Sequence, residues 1–162
     1  MKVLITDANI LIDLLKTEVI GRFFRLKYEI HTTHAVIEEC NEDQQKLLNK
    51  HINSGKLSIL PMNTEDDDLV ESLLGENPGL SHADCTVLHA AKSLQAILLT
   101  GDRKLRMVTL DSKLEVRGIF WVFDEMLKQK VMEKKEYTQK LSKLKEINRW
   151  LPEDEFKKRN IL

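Results

Sequence analysis

One stretch of the chain constrains the fold more than any other, and it reads LSHADCTVLHAAKSLQAILLTGDRKL from Leu80 to Leu105. Ser81 and Asp84 have the spacing of a capping box that opens a helix, and apolar residues follow at helical intervals. The apolar run Ala96 to Thr100 has the length of a strand, and Asp102 comes almost directly after it. The stretch therefore predicts a helix, a buried strand and an acidic loop.

Asp84 lies on the apolar side of the predicted helix. Its neighbours at positions i+3, i+4 and i+7 are Val87, Leu88 and Ala91, so its carboxylate is expected at the edge of the core. A charge there is costly unless it is paired or bound to a metal ion.

The rest of the chain alternates short apolar strands with helical patterns. The first strand, Lys2 to Thr6, is continuously apolar at its centre, as is typical of a parallel strand that is covered on both faces. Asp7 ends this strand, and a helix from Asn9 to Leu15 follows. Further strands are predicted at Tyr28 to Thr33, Leu57 to Leu60 and Glu115 to Ile119. The alternation predicts an α/β fold with a mostly parallel sheet and helices on both faces.

A helix is predicted from Ala35 to Asn53, with two adjacent acids near its start. Because adjacent helical residues point about 100° apart, Glu39 flanks the apolar stripe while Glu38 turns toward solvent. We therefore expect Glu39, and not Glu38, to face a site on the sheet.

The C-terminal quarter is predicted to be helical. Helices are expected at Phe120 to Lys130 and Lys134 to Ile147, and the tail from Trp150 to Leu162 favours a third, with Pro152 at its first turn. We divide the chain into residues 1–127, the α/β domain, and residues 128–162, a helical extension packed on the same domain.

Composition excludes several classes of function. The net charge of −1 gives no general attraction to nucleic acid, so a polyanion would have to contact a local basic patch. Cys40 and Cys85 have no ligand-like spacing, which favours reduced thiols and a cytoplasmic protein. No apolar run approaches the roughly 20 residues needed to span a bilayer, so no membrane association is expected.

Four carboxylates occupy comparable places in this pattern. Asp7 and Asp102 follow strands, while Glu39 and Asp84 lie in the first turns of helices. In an open parallel sheet, ligands bind beyond the carboxyl ends of the strands. Carboxylates that converge there repel one another unless a cation holds them, and oxygen ligands suit Mg²⁺ or Mn²⁺. Such ions favour phosphate chemistry, so phosphodiester hydrolysis is the expected reaction class.

The segments DANILIDL, VIEEC, SHADCTVLHAA and LLTGDRKL together resemble the motifs of PIN-domain nucleases, over about Lys2 to Phe123. The resemblance implies a parallel-sheet sandwich, metal-dependent cleavage of single-stranded RNA by an endoribonuclease and, often, the toxin role in a toxin–antitoxin pair. Asp7, Glu39, Asp84 and Asp102 carry over as catalytic metal ligands for Mg²⁺ or Mn²⁺, with Asn9 and Thr100 as supporting hydrogen-bonding groups. The implied partners are single-stranded RNA, an antitoxin protein and a second copy of the chain as a homo-oligomer.

Local basic residues are the expected contacts for RNA. Arg103, Lys104 and Arg106 come directly after Asp102, where they could reach phosphates beside the metal site.

Other interpretations remain open at this point. Each acid taken singly is commonly a cap, turn or solvated helix residue, so a non-catalytic module that binds nucleic acid or protein is one alternative. A phosphoacceptor receiver domain is another, although such domains resemble a pattern with an acidic pair after the first strand, where this chain has Asp7-Ala8. No glycine-rich nucleotide-binding loop is present.

Overall fold

The fold is described from a computed structural model that covers residues 1–162. Five parallel strands form one sheet in the order β3-β2-β1-β4-β5. The strands are β1 Val3–Thr6, β2 Glu29–Thr32, β3 Ser58–Ile59, β4 Ile97–Leu99 and β5 Val116–Arg117. The first strand of the chain is thus the central strand of the sheet.

Ten helices connect and follow the strands. They are α1 Ala8–Lys16, α2 Ile20–Phe23, α3 His34–Glu39, α4 Glu42–Asn53, α5 Thr64–Glu76, α6 His82–Leu94, α7 Arg103–Asp111, α8 Ile119–Lys128, α9 Lys134–Ile147 and α10 Glu153–Lys158. None of them is long and apolar enough to cross a lipid bilayer.

Both faces of the sheet are covered. Consecutive side chains of a strand point to opposite faces, and Leu4 and Ile5 of β1 are both fully buried, as are Leu98 and Leu99 of β4. The predicted α/β fold with a parallel sheet and helices on both faces is therefore confirmed.

The order of the strands reverses between β1 and β4. After β1 the chain builds outward through β2 and β3, then crosses to the other side of β1 to form β4 and β5. The crevice at such a switch point, beyond the carboxyl ends of the strands, is the usual ligand site of an open α/β sheet. Asp7 follows β1 and Asp102 follows β4 by three residues, so these two acids border the crevice.

The prediction of one continuous helix from Ala35 to Asn53 is wrong, because the structure has two helices, α3 and α4, in this range. α3 ends at Glu39, where Cys40 adopts an extended conformation with φ −80° and ψ 148°. Asn41 then caps α4 in a reciprocal box with Gln44. Glu39 is consequently the last residue of a short helix and not part of the first turn of a long one.

Smaller differences lie at the ends of elements. The last strand stops at Arg117, and Ile119 already belongs to α8. The tail forms only the six-residue α10, with Pro152 just before it at the N-cap.

The C-terminal helices share the core of the sheet. α9 buries Leu141 and Leu144, and α10 buries Phe156, whose ring packs edge-on against Phe120 of α8 at a centroid distance of 4.9 Å. Arg159 ties the end of the chain to α8 through two hydrogen bonds to Asp124, at 2.9 and 2.7 Å. The extension is thus held at fixed positions relative to the crevice.

Candidate active site

Asp7 is the buried centre of the candidate site. Its side chain caps α1, with Oδ1 accepting from the amide of Ala8 at 2.8 Å, and its own amide donates to the carbonyl oxygen of Leu99 at 2.9 Å. Only 4% of Asp7 is exposed. A strand-to-helix turn therefore places a carboxylate between β1 and β4 with little access to water.

Two polar residues orient this carboxylate. The hydroxyl of Thr100 donates to Asp7 Oδ2 at 2.8 Å and accepts from the amide of Asp102 at 3.1 Å. The Asn9 side chain donates weakly to the same Oδ2, at 3.3 Å, while its oxygen accepts from the amide of Gly101 at 2.9 Å. This network connects the turns after β1 and β4, and it contains both of the residues predicted to support the site.

Glu39 and Asp84 approach Asp7 from two helices. α3 is held beside α6 by the hydrogen bond between the hydroxyls of Thr33 and Thr86, at 2.8 Å. The predicted capping box is present at the start of α6: Asp84 Oδ2 accepts from the amide of Ser81 at 2.9 Å, and the Ser81 hydroxyl accepts from the amide of Asp84 at 3.1 Å. Asp84 Oδ1 is left without a hydrogen bond.

The electrostatics of the site show a concentration of negative charge. The pKa of Asp7 is raised to about 6, mainly by burial and to a smaller extent by the charges of Asp84 and Glu39, while the hydrogen bonds from Thr100 and Ala8 act in the opposite direction. Partial desolvation and the neighbouring Asp84 also raise the pKa of Glu39. No basic side chain forms an ion pair with any of these acids.

Glu38 and Glu39 point in different directions. Glu38 is exposed, and its Oε1 lies 2.8 Å from Nε2 of His34, one turn earlier on α3. Glu39 makes no hydrogen bond or ion pair; its charge raises the pKa of Asp7, and the charge of Asp84 raises the pKa of Glu39. The structure thus places Glu39 on the side of the crevice.

Asp102 joins the site through the backbone. Its Oδ1 caps α7 by accepting from the amide of Leu105 at 2.8 Å, and its amide donates to the Thr100 hydroxyl that binds Asp7. The structure therefore connects Asp102 to Asp7 by hydrogen bonds, whereas Glu39 and Asp84 interact with Asp7 through their charges.

The four carboxylates match a hard divalent cation in donor type and in charge. All their donor atoms are oxygen, and Asp7 carries a raised pKa that a nearby cation would lower. With the side chains as they stand, however, no group of three His, Cys, Asp or Glu residues could hold an ion between them. An ion would require side chains such as Asp84 and Asp102, which now cap helices, to turn toward Asp7.

The predicted basic residues lie at the start of α7. Arg103 and Lys104 are exposed, and the aliphatic part of Lys104 covers Gly79, with Cδ about 3.1 Å from where a Cβ would be. Arg106 is half-buried and donates to the carbonyl oxygen of Thr100 at 3.5 Å.

Two open cavities border the turn after β4. The larger, of about 560 Å³, contains Arg106 and Arg117, and the smaller, of about 270 Å³, is lined by Asn9, Asp102 and Trp150. Sequence reasoning did not assign Trp150 to a site. In the sequence, Trp150 is a single tryptophan in the polar segment between α9 and α10. Nothing in that segment indicates that Trp150 lies near Asp102 in the fold.

The chain is thus an α/β protein whose acidic side chains lie at the switch point of a parallel sheet, beyond the carboxyl ends of β1 and β4. A family model described as a PIN domain matches residues 3–160, so the chain belongs to the PIN-domain family, and the match includes the C-terminal helices. PIN domains are generally nucleases, and PIN nucleases typically use divalent metals.

A solved structure shares the fold. The crystal structure of PAE2754 from Pyrobaculum aerophilum superimposes with a TM-score of 0.55 at 18% sequence identity, covering 79% of this chain and 98% of that one. No curated protein matches the chain.

Proposed function

We propose that this chain is a metal-dependent endoribonuclease that hydrolyses phosphodiester bonds of single-stranded RNA, with Asp7, Glu39, Asp84 and Asp102 as ligands of Mg²⁺ or Mn²⁺. The observation that supports it most is the position of Asp7: a buried carboxylate at the switch point of the sheet, close to Asp84 and Glu39 and without a basic partner. Burying such a charge is costly, and a bound cation would offset that cost.

The residues of the chain would divide the work. Thr100 and Asn9 hold the Asp7 carboxylate in one orientation through their hydrogen bonds, which prepares it to bind an ion. When bound there, Mg²⁺ or Mn²⁺ lowers the pKa of water and stabilises charge on phosphoryl oxygens. Arg103 and Lys104, at the start of α7, would bind phosphates of the RNA on the flank of the site.

A nuclease assay tests the proposal. Labelled single-stranded RNA should be cleaved with Mg²⁺ or Mn²⁺, and a chelator should stop the cleavage. Asp7→Asn should abolish it, while Glu38→Gln, which changes the neighbouring acid that faces solvent, should leave it unchanged. Equal cleavage by Asp7→Asn and the parent would exclude the proposed site.

A non-catalytic binding module is the second candidate, and one observation favours it. Asp84 and Asp102 both serve as helix caps, and the acids do not form a group that could hold an ion as they stand. Calorimetry with Mn²⁺ separates the two functions, because the nuclease requires an ion that binds the parent and not Asp7→Asn.

We extend the proposal to the toxin role in a toxin–antitoxin pair, acting in the cytosol, with a cognate antitoxin as the protein partner. Only the family resemblance supports the toxin role, while the two unpaired, buried cysteines favour a reducing compartment. Expression of the parent should arrest growth of a bacterial host, and expression of Asp7→Asn should not.

A further inference from the structure

An exposed tryptophan lies beside the candidate active site, next to Asp102. Trp150 is 96% exposed and lines the smaller cavity together with Asn9 and Asp102. Its loop is anchored, because Asn148 donates to Asp13 of α1 at 2.9 Å and accepts from the amide of Trp150 at 3.2 Å. The backbone at this position is therefore fixed while the indole has no packing partner.

The neighbouring larger cavity contains a positive charge that no acid neutralises. The Arg106 guanidinium has no carboxylate within 4.0 Å, and its only hydrogen bond is the 3.5 Å contact with the carbonyl oxygen of Thr100. The acids of that cavity, Asp124 and Glu155, are instead bound by Arg159 at 2.7 and 2.9 Å.

The two cavities adjoin. Both are lined by Gly101, Ile119 and Leu151, so they lie on either side of the turn that leads to Asp102. A flat aromatic surface and an unpaired guanidinium therefore flank one end of the carboxylate site.

The surroundings of Trp150 favour a nucleic acid over a protein partner. Of the large apolar residues that are exposed on this chain, Trp150 is the only one that lines either cavity. The core of a protein interface needs a contiguous apolar patch, whereas a single aromatic ring with a nearby cation is what binds a base and its phosphate.

We propose that Trp150 stacks on a base of the single-stranded RNA and that Arg106 binds an adjacent phosphate, so that the C-terminal segment forms a nucleotide subsite next to Asp102. This inference rests on the proposed function for its choice of RNA. Stacking on an aromatic ring does not depend on the identity of the base, so the subsite would position the strand without selecting a sequence.

Binding measurements with matched probes test the subsite. The probes are a short labelled single-stranded RNA and an abasic ribose-phosphate oligomer of the same length, both measured in an Asp7→Asn background that prevents cleavage. Trp150→Ala should weaken binding of the RNA by about 5- to 100-fold and leave binding of the abasic oligomer unchanged, since only stacking is lost. Trp150→Phe should keep most of the affinity.

Two further variants sharpen the measurement. Leu110→Ala removes an exposed apolar side chain that lines neither cavity, and it should bind the RNA as the parent does. In Trp121→Phe, Trp150 is the only tryptophan left, so the RNA should quench its fluorescence and the abasic oligomer should not.

The outcomes separate this inference from the proposed function. If the parent cleaves RNA and Trp150→Ala binds RNA equally well, the subsite is wrong and the nuclease stands. If the parent does not cleave RNA but Trp150→Ala loses affinity for it, the subsite stands and the hydrolysis is wrong. If Trp150→Ala only changes the oligomeric state in light scattering, Trp150 contacts a second copy and the subsite is overturned.

Discussion

Replacing Asp7 by asparagine should make the metal-free protein more stable at neutral pH and should abolish the proposed cleavage of RNA. The pKa of Asp7 is about 6 in the folded chain, compared with an ordinary value of 3.8. Between these two values the folded state binds more protons than the unfolded state, so stability falls as pH rises. The charged form of Asp7 therefore destabilises the fold at pH 7, and Asp7→Asn removes that charge.

The size of the effect follows from the pKa. A difference of about two units corresponds to about 3 kcal/mol at neutral pH, and Asp7 is too deeply buried for solvent to screen much of it. Asparagine has one acceptor oxygen, so it cannot keep the hydrogen bonds from both Ala8 and Thr100, and the loss costs about 1 kcal/mol. We expect a net gain of about 2 kcal/mol.

Urea unfolding with a chelator, at pH values from about 4 to 7, measures this difference. The advantage of Asp7→Asn should be largest at neutral pH, shrink as pH falls through 6 and disappear near 4. Added Mg²⁺ should stabilise the parent and not the variant, because an ion that binds only the folded state raises its stability. A difference between the two proteins that does not change with pH would refute the reasoning.

Three other variants have defined outcomes. Thr100→Val removes the stronger of the two hydrogen bonds that lower the pKa of Asp7, so the pKa of Asp7 should rise above that of the parent in a carboxyl NMR titration. Arg103→Ala with Lys104→Ala should weaken RNA binding and reduce its salt slope by about 1.4, with the thermal midpoint unchanged; identical slopes would mean that these side chains only solvate α7. Phe156→Ala should cost about 3–5 kcal/mol in urea unfolding, and a loss near zero would show that α10 is not part of the core.

The elements with local signals could be predicted from the sequence. The apolar runs of β1 and β4 and the capping box at Ser81 each depend on neighbouring residues, and α9 has the bounds that its periodicity predicts. The position of Asp7 and Asp102 at one edge also followed from the sequence, because the carboxyl ends of parallel strands meet there.

Features that depend on competition or on distant contacts could not be predicted. At Cys40 the helical periodicity of the flanking residues concealed a break that the Asn41–Gln44 box produces. For Asp84 the sequence predicted the capping box with Ser81, but it could not decide whether this carboxylate stays in that box or turns toward an ion. Trp150 lies beside Asn9 and Asp102 in a loop that Asn148 anchors to Asp13, and no local sequence pattern indicates that long-range contact.

The central position of β1 has a consequence for the order of folding. β1 is synthesised before the other four strands of the sheet, yet one of its two neighbours is β4, and the bond between Thr100 and Asp7 spans 93 residues. Closing so long a loop delays contact formation, so the sheet should remain incomplete until β4 and β5 have been synthesised. A nascent chain that has not yet extended past Thr100 would thus contain Asp7, Glu39 and Asp84 but no closed crevice, so the carboxylate site cannot form before β4 and Thr100 have been synthesised.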